Sequence, residues 1–423
     1  MEQDACADLI AEHPFYLEKE RAVLYNRSKE KRKEGESMAD VFIRTKKQAE
    51  IMAQLQALVP IFQSREHELD ALGSFPFQNI ADLKGMGYHK LTLPKEYGGE
   101  AASLYDLLLF QEKIAEGDGA TALSIGWHMG IMQELTENRQ WEEELFAWMC
   151  GEVQHGALLN RAASERATGS PARGGRPETA AVRIENGWQI SGRKTFTSMA
   201  PALDYILISA WVEEEGQIGE FLIPRKAAGV SIEETWDSVA MRGTASHDLV
   251  LEQVQIPPAY LVEWRNSPRP KNSGWLLHIA ACYLGIAQAA RQYALRFAAS
   301  YHNNSTQEPI SSLPNVRRLI AEMELELLTA RHMMYGVAAQ YDASEQRGQL
   351  KRELAAVKHV ATNAAIAVVD KAMRIVGARS LSAGNPLHRY YVNVRAGLHN
   401  PPADDITMSL LTEQALAETR GQA

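Results

Sequence analysis

The sequence predicts an α+β protein in three parts: an N-terminal helical domain (38–152), a middle antiparallel β-sandwich or barrel (153–265) and a C-terminal four-helix-type bundle (272–423). Three observations carry that prediction. Apolar residues recur three and four apart toward both ends of the chain, they alternate in short runs in the middle, and Pro/Gly turns mark the changes of pattern.

The first helical part rests on "AEIMAQLQALVPIFQSREHELDAL" and "LYDLLLFQEKIAEGDG", whose apolar residues fall on one helical stripe. Between them "LTLPKEYGGE" combines Pro94 with Gly98 and Gly99, which no helix crosses. The middle part rests on "AAVRIENGWQISGRKTFTS", "DYILISAWVEEEGQIGEFLIP", "GVSIEET" and "HDLVLEQVQIP", short alternating runs separated by turn residues such as Glu185-Asn186-Gly187. From Ser273 onward the helical period returns in three long runs with broad apolar stripes, "WLLHIAACYLGIAQAARQYALRFAASY", "NVRRLIAEMELELLTARHMMYGVAAQY" and "KRELAAVKHVATNAAIAVVDKAMRIV". Residues 1–37 read as a non-native or disordered leader, because the polar run "RSKEKRKEGES" precedes Met38 and an ordinary start, "MADVFIRTKKQAEIM", follows.

Composition narrows the functional classes. A formal charge of -9 over 423 residues argues against non-specific nucleic-acid binding, which needs a cationic surface. Hydrophobic content of 45% and charged content of 23% are those of an ordinary globular protein, and no apolar run reaches membrane-spanning length. Cys6, Cys150 and Cys282 lie far apart without metal-ligand spacing, as expected for buried or idle thiols in a reducing, cytoplasmic compartment. No GxGxxG follows a strand, so the chain is not a dinucleotide-binding α/β protein, and "GSPARGG" reads as a plain loop.

Four stretches, in this order and on this alternation of helix and strand, resemble the acyl-CoA dehydrogenase superfamily from about Met38 to Leu411. "LPKEYGG" (Leu93–Gly99) resembles its N-terminal turn. "SERATGS" (Ser164–Ser170) is similar to its Thr-Glu-Pro-Gly-x-Gly-Ser run, "ISGRKTFTSMAPALDYILISA" (Ile190–Ala210) to its Gly-x-Lys-x-x-Ile-Thr segment, and "MRGTASHDLVLEQVQIP" (Met241–Pro257) to the close of its β-domain. "VGARSL" and "NPLHRYYVNVRAG" resemble its last helices. The resemblance implies a flavin between β-domain and bundle: FAD by default, FMN as the alternative. Phe196 would cover the ring, Thr197 and Ser198 would offer hydroxyl groups to its N5 or O4 edge, and Ser164 and Ser170 would contact flavin or substrate. It also implies a homo-oligomer, usually a tetramer, a small-molecule substrate such as a CoA thioester, and an electron-transfer partner or flavin reductase.

Three departures from the family pattern matter. Arg296 lies near, but out of register with, the Arg-x-x-Phe that grips a dinucleotide. The family's Gly-Gly reads Gly377-Ala378, with Arg379 following as a replacement charge. The third departure decides the chemistry. A dehydrogenase of this family abstracts an α-proton with a glutamate, and along "YYVNVRAGLHNPPADD" that glutamate falls on Pro401; an alternative site falls at about Trp275. Two-electron oxidation of an acyl-CoA-like substrate then needs Asp404 or Asp405 as the base, although both also fit as caps of the helix that follows. The alternative is a monooxygenase that takes reduced flavin and transfers one oxygen of O2 from a C4a-hydroperoxide. For that, "LHNP" (Leu398–Pro401) resembles a Leu-His-Asp-Pro of that branch and puts His399 near the flavin, with His128 in "SIGWHMG" as a second polar group. A non-catalytic flavin-binding descendant is the third reading.

Overall fold

A computed structural model describes residues 41–169, 175–265, 272–302, 304 and 308–420. The expectations for residues 1–37, Cys6 and Ser170 lie outside the described residues. The chain divides into two compact units, 1–49 and 50–423, and the first of its described helices, α1 (Lys46–Leu72), starts near the end of the first unit.

The second unit continues with α2 (Phe77–Gly85), α3 (Leu104–Gly117), α4 (Gly119–Asn138) and α5 (Glu143–Gln154). Local chemistry sets where these helices start. Ser103 and Asp106 form a reciprocal capping box at the head of α3. The Asp118 carboxylate accepts from the Ala120 and Thr121 N–H groups, both at 3.1 Å, and so opens α4. The turn between α2 and α3 behaves as its glycines require. Gly98 has φ +74°, and a β-carbon on Gly99 would meet the Leu93 carbonyl oxygen at 2.2 Å.

The middle region is a single sheet of eight strands: β1 (Leu159–Ala162), β2 (Ala180–Ile184), β3 (Gly187–Thr197), β4 (Tyr205–Val212), β5 (Gln217–Pro224), β6 (Val230–Glu233), β7 (His247–Ile256) and β8 (Leu261–Trp264). Its order is β6-β7-β3-β2-β4-β5-β8, with β1 attached to β4. Most neighbours pair antiparallel, as expected, and two pairs depart from that pattern. β1 and β2 both run parallel to β4. The residues between β1 and β2, and the β3 hairpin between β2 and β4, supply the longer connections that parallel neighbours need.

The third region holds α6 (His278–Ser300), α7 (Pro314–Ala343), α8 (Lys351–Val376), α9 (Pro386–Ala396) and α10 (Asp404–Arg420). α6 packs against α8 on one side and against α3 on the other. The α3–α6 approach is tight because Gly285 faces the Glu112 carbonyl, and a β-carbon there would sit 2.2 Å from that oxygen. Asp342, at the end of α7, accepts from the Leu104 and Tyr105 N–H groups at 2.9 Å each and so ties α7 to the head of α3. The architecture is therefore a helical N-terminal region, a β-sheet and a helical bundle, as the sequence periods indicate. No helix among the described residues is long and apolar enough to cross a membrane.

Candidate functional site

The end of β3 is the most unusual surface on the sheet. The β3–β7 register slips between Lys194 and Thr197, so the strand bulges just before it ends. At the bulge Phe196 takes φ +57°, a left-handed conformation that costs a bulky residue about 1–3 kcal/mol. The strain is not repaid by burial, because Phe196 is 61% exposed. Trp236 meets its ring edge-on, with centroids 5.9 Å apart. Thr197 next to it is fully buried, yet its hydroxyl has no hydrogen-bond partner among the described residues. The exposed aromatic face of Phe196 is the part of this strand end open to a flat ring.

A chain of hydroxyl groups leads inward from this point. Ser198 Oγ lies 2.8 Å from Ser246 Oγ, which lies 2.8 Å from Thr244 Oγ1, which donates to the Met241 carbonyl at 2.9 Å. The Met241 N–H in turn donates to Asn393 Oδ1 on α9 at 2.7 Å. The strand end that carries Phe196 is thus linked by hydrogen bonds to the helix that leads into "RAGLHNPPADD".

Behind the strand end lies a buried ion pair. Lys194 Nζ donates to Glu165 Oε1 at 2.7 Å, and both side chains are almost wholly buried. The Glu165 carboxylate also accepts from Thr179 N and Oγ1, Glu178 N and Thr168 Oγ1. Burial works against its charge, but the hydrogen bonds from Lys194, Thr179 and Glu178 prevail and hold it at about 2. The pair anchors the loop that carries Ser164, whose carbonyl accepts from Thr195 N at 2.9 Å. The two residues stand 29 positions apart in separate motifs, and nothing in their spacing pairs them.

The turn between α9 and α10 carries the segment where the sequence departs from the family pattern. Asn400 Oδ1 accepts from Tyr283 OH at 2.6 Å, and Pro401–Pro402 is a cis bond. His399 is exposed in this turn and donates its backbone N–H to Ala396 O. Asp404 and Asp405 are the first two residues of α10, so both are helix-start acids. Asp404 Oδ1 turns toward α8, 3.1 Å from His359 Nδ1 and 3.9 Å from the buried Lys358 ammonium. In this position the carboxylate faces the side chains of His359 and Lys358. Trp275, where the resemblance puts the alternative glutamate, packs against Trp127 and His278 within a buried core cluster.

His128 is held between two backbone groups. It is fully buried, its Nε2 donates to His89 O at 2.9 Å and its Nδ1 accepts from Leu159 N at 3.0 Å, so neither nitrogen is left for a ligand. Burial pushes it down to about 4, so the unfolded chain, near 6.5, holds a proton the fold lacks between those values. Its stabilising contribution is complete above pH 6.5 and is lost as pH falls toward 4. His128→Leu orphans two buried backbone groups and is expected to cost about 2–4 kcal/mol at pH 7.5. In urea unfolding at pH 7.5 and pH 5 the gap to the unaltered protein should narrow at pH 5, by about 1.4 kcal/mol per unit below 6.5. An equal gap at both values removes His128 from the acid response.

The residues expected to grip a phosphate sit at the ends of α6 and α8. Arg296 is exposed on α6, Gly377 ends α8 with φ +69°, and the Arg379 guanidinium lies 4.6 Å over the Tyr301 ring. Tyr301 stacks on Phe297, with centroids 4.9 Å apart. No cluster of three or more metal-ligating side chains occurs among the described residues, and Cys150 and Cys282 are buried free thiols.

Comparison with known proteins agrees with this layout. The acyl-CoA dehydrogenase N-terminal, middle and C-terminal domains match residues 45–138, 160–254 and 277–409. YdbM of Bacillus subtilis (strain 168), a provisionally assigned acyl-CoA dehydrogenase, is 52% identical over 89% of this chain and 99% of its own. The dibenzothiophene monooxygenase of Rhodococcus qingshengii is 26% identical over 79% of this chain and 86% of its own. The structure of KijD3 in complex with FMN and a dTDP-linked amino-keto sugar superimposes with a TM-score of 0.79 at 25% identity, covering 89% of this chain and 95% of that one. With all three domains matched in order and a relative this similar over nearly its whole length, the chain belongs to the acyl-CoA dehydrogenase family of flavin-linked oxidoreductases.

Proposed function

We propose that this protein is a reduced-flavin-dependent monooxygenase built on the acyl-CoA dehydrogenase scaffold. The observation that carries the reading is the fate of the carboxylates after α9. The family's base position is Pro401, Asp404 faces His359 and Lys358, and Asp405 is an exposed helix-start residue. Removing a weakly acidic α-proton without a base has no physical route, whereas oxygen transfer needs none. The flavin would rest on Phe196 with Thr197 and Ser198 at its polar edge; when bound it supplies two electrons and activates O2. In this reading Trp236 narrows access of water to that edge and His399 offers a hydrogen bond from the α9–α10 turn. Ser164 would contact the flavin or substrate from the loop that Glu165 anchors. FMN is favoured over FAD by the FMN in KijD3, and a flavin reductase is the implied partner.

The competing reading is an acyl-CoA dehydrogenase using Asp404, favoured by the assignment of YdbM. One anaerobic experiment separates the two. The flavin-loaded protein mixed with a panel of acyl-CoA thioesters should keep its oxidised flavin absorbance, while reduced flavin with O2 should yield an oxygenated product from small thio- or amino-substituted organic molecules. Thioester-dependent bleaching that Asp404→Asn abolishes would overturn the proposal.

A further inference from the structure

The hydroxyl chain from Ser198 to Met241 has a direction, and that direction selects the redox state of what binds beside it. Each hydroxyl has a single proton to donate. When Thr244 donates to the Met241 carbonyl, Ser246 must donate to Thr244 and Ser198 must donate to Ser246. Ser198 then offers only lone pairs outward. In the reverse order Thr244 donates to Ser246, Ser246 to Ser198, and Ser198 becomes a donor toward the outside. The Met241 carbonyl tolerates either order, because Thr244 N–H at 3.0 Å and Trp236 Nε1 at 3.3 Å also donate to it.

The two orders are unequal. The inward order makes three hydrogen bonds within the protein, and the outward order makes two until a ligand supplies the third. Ser246 and Thr244 are buried, so no solvent compensates for the missing bond, while Ser198 at the open end is only half-buried.

We propose that the Ser198–Ser246–Thr244 chain is a redox-state selector that holds Ser198 as an acceptor and so favours a ligand presenting an N–H over one presenting a bare nitrogen. This rests on the flavin reading above, in which Ser198 meets N5. Reduced flavin carries a proton on N5 and oxidised flavin does not, so the protein is tuned to capture flavin already reduced elsewhere. One net hydrogen bond corresponds to a preference of roughly two- to tenfold. For a two-electron couple a tenfold preference is a shift of about 30 mV.

The test compares the affinity of the full chain for oxidised and for anaerobically reduced FMN, by fluorescence and absorbance titration, with the bound potential measured independently by spectroelectrochemistry. Ser246→Ala breaks the chain in the middle, and Thr244→Val removes its inner end with little change of shape. Both should lower the reduced-to-oxidised affinity ratio two- to tenfold, and Ser246→Thr, which keeps the hydroxyl, should restore it. A purely structural role would weaken both redox states alike. Flavin binding with a ratio unchanged in both variants overturns the selector and leaves the flavin reading intact. Failure of the unaltered protein to bind either FMN or FAD overturns the flavin reading and the selector together.

Discussion

Lys194→Met is expected to destabilise the protein by about 3–5 kcal/mol, the usual loss when one member of a buried ion pair is removed. The size follows from what stays behind. Glu165 would remain buried with four neutral donors, from Thr179, Glu178 and Thr168, and no countercharge. Those donors soften the loss but cannot replace the ammonium, so the carboxyl would rise from about 2 and take up a proton. The sign with pH is fixed by that depressed value. The stability Glu165 contributes is complete above about 4.5 and is lost as pH falls through 2, so the gap between the variant and the unaltered protein should be widest near neutrality and close in acid. Glu165→Gln combined with Lys194→Met should be less harmful than the sum of the two, because the amide keeps an acceptor for Glu178 or Thr179 without a charge. The consequence for function runs through the backbone: Glu165 fixes the loop of Ser164, and Thr195 N is bonded to that loop, so the strand end carrying Phe196 should lose flavin affinity with stability. Urea unfolding read by tryptophan fluorescence, beside a flavin titration, checks both. A loss below about 1 kcal/mol would mean that the pair is not buried as described.

Periodicity made the helices legible because a stripe of apolar residues every three or four positions has one solution in water. The runs at Trp275, Asn315 and Lys351 became α6, α7 and α8 within a few residues. Strand pairing was less legible. Alternation says which face of a strand is apolar but not which neighbour it meets, and the parallel pairing of β1 and β2 with β4 leaves no mark in that alternation. At the site the same divide holds. Two adjacent acids before an apolar run carry the signature of a helix start, and Asp404 and Asp405 are one. The roles of His128 and His399 were not legible, because a histidine's part depends on what faces its two ring nitrogens. His128 meets a carbonyl 39 positions before it and an amide 31 positions after it. Lys194 and Glu165 stood in separate motifs 29 residues apart, and only the fold turns their opposite charges into a pair.

His399→Ala is expected to lower the yield of oxygenated product per reduced flavin consumed by at least about tenfold, with a matching rise in H2O2. The ring is well placed for a test of chemistry rather than of folding. Its segment is fixed on both sides by contacts that the substitution leaves alone: Asn393 holds the Met241 N–H, Tyr283 holds Asn400, and Asp404 meets His359. The ring itself is exposed, and removing a surface side chain away from such anchors typically changes stability by no more than about 0.5 kcal/mol. A loss of coupling in a variant that unfolds at the same urea concentration therefore belongs to the imidazole. Positioned proton donors and acceptors contribute about 10²–10⁴-fold to the steps they serve, and a water able to reach this exposed turn would replace part of that, which sets the smaller expected figure. His399→Gln, which keeps one donor and one acceptor, should fall between the two. Flavin affinity should change little, since the proposed flavin contacts at Phe196 and the Ser198 chain are untouched by the substitution. His128→Leu supplies the contrast: it lowers stability by orphaning two backbone groups, yet should leave the product-to-peroxide ratio untouched. If His399→Ala couples as well as the unaltered protein, the turn after α9 has lost the base and gained nothing in its place, and the polar group that serves oxygen must come from the strand end.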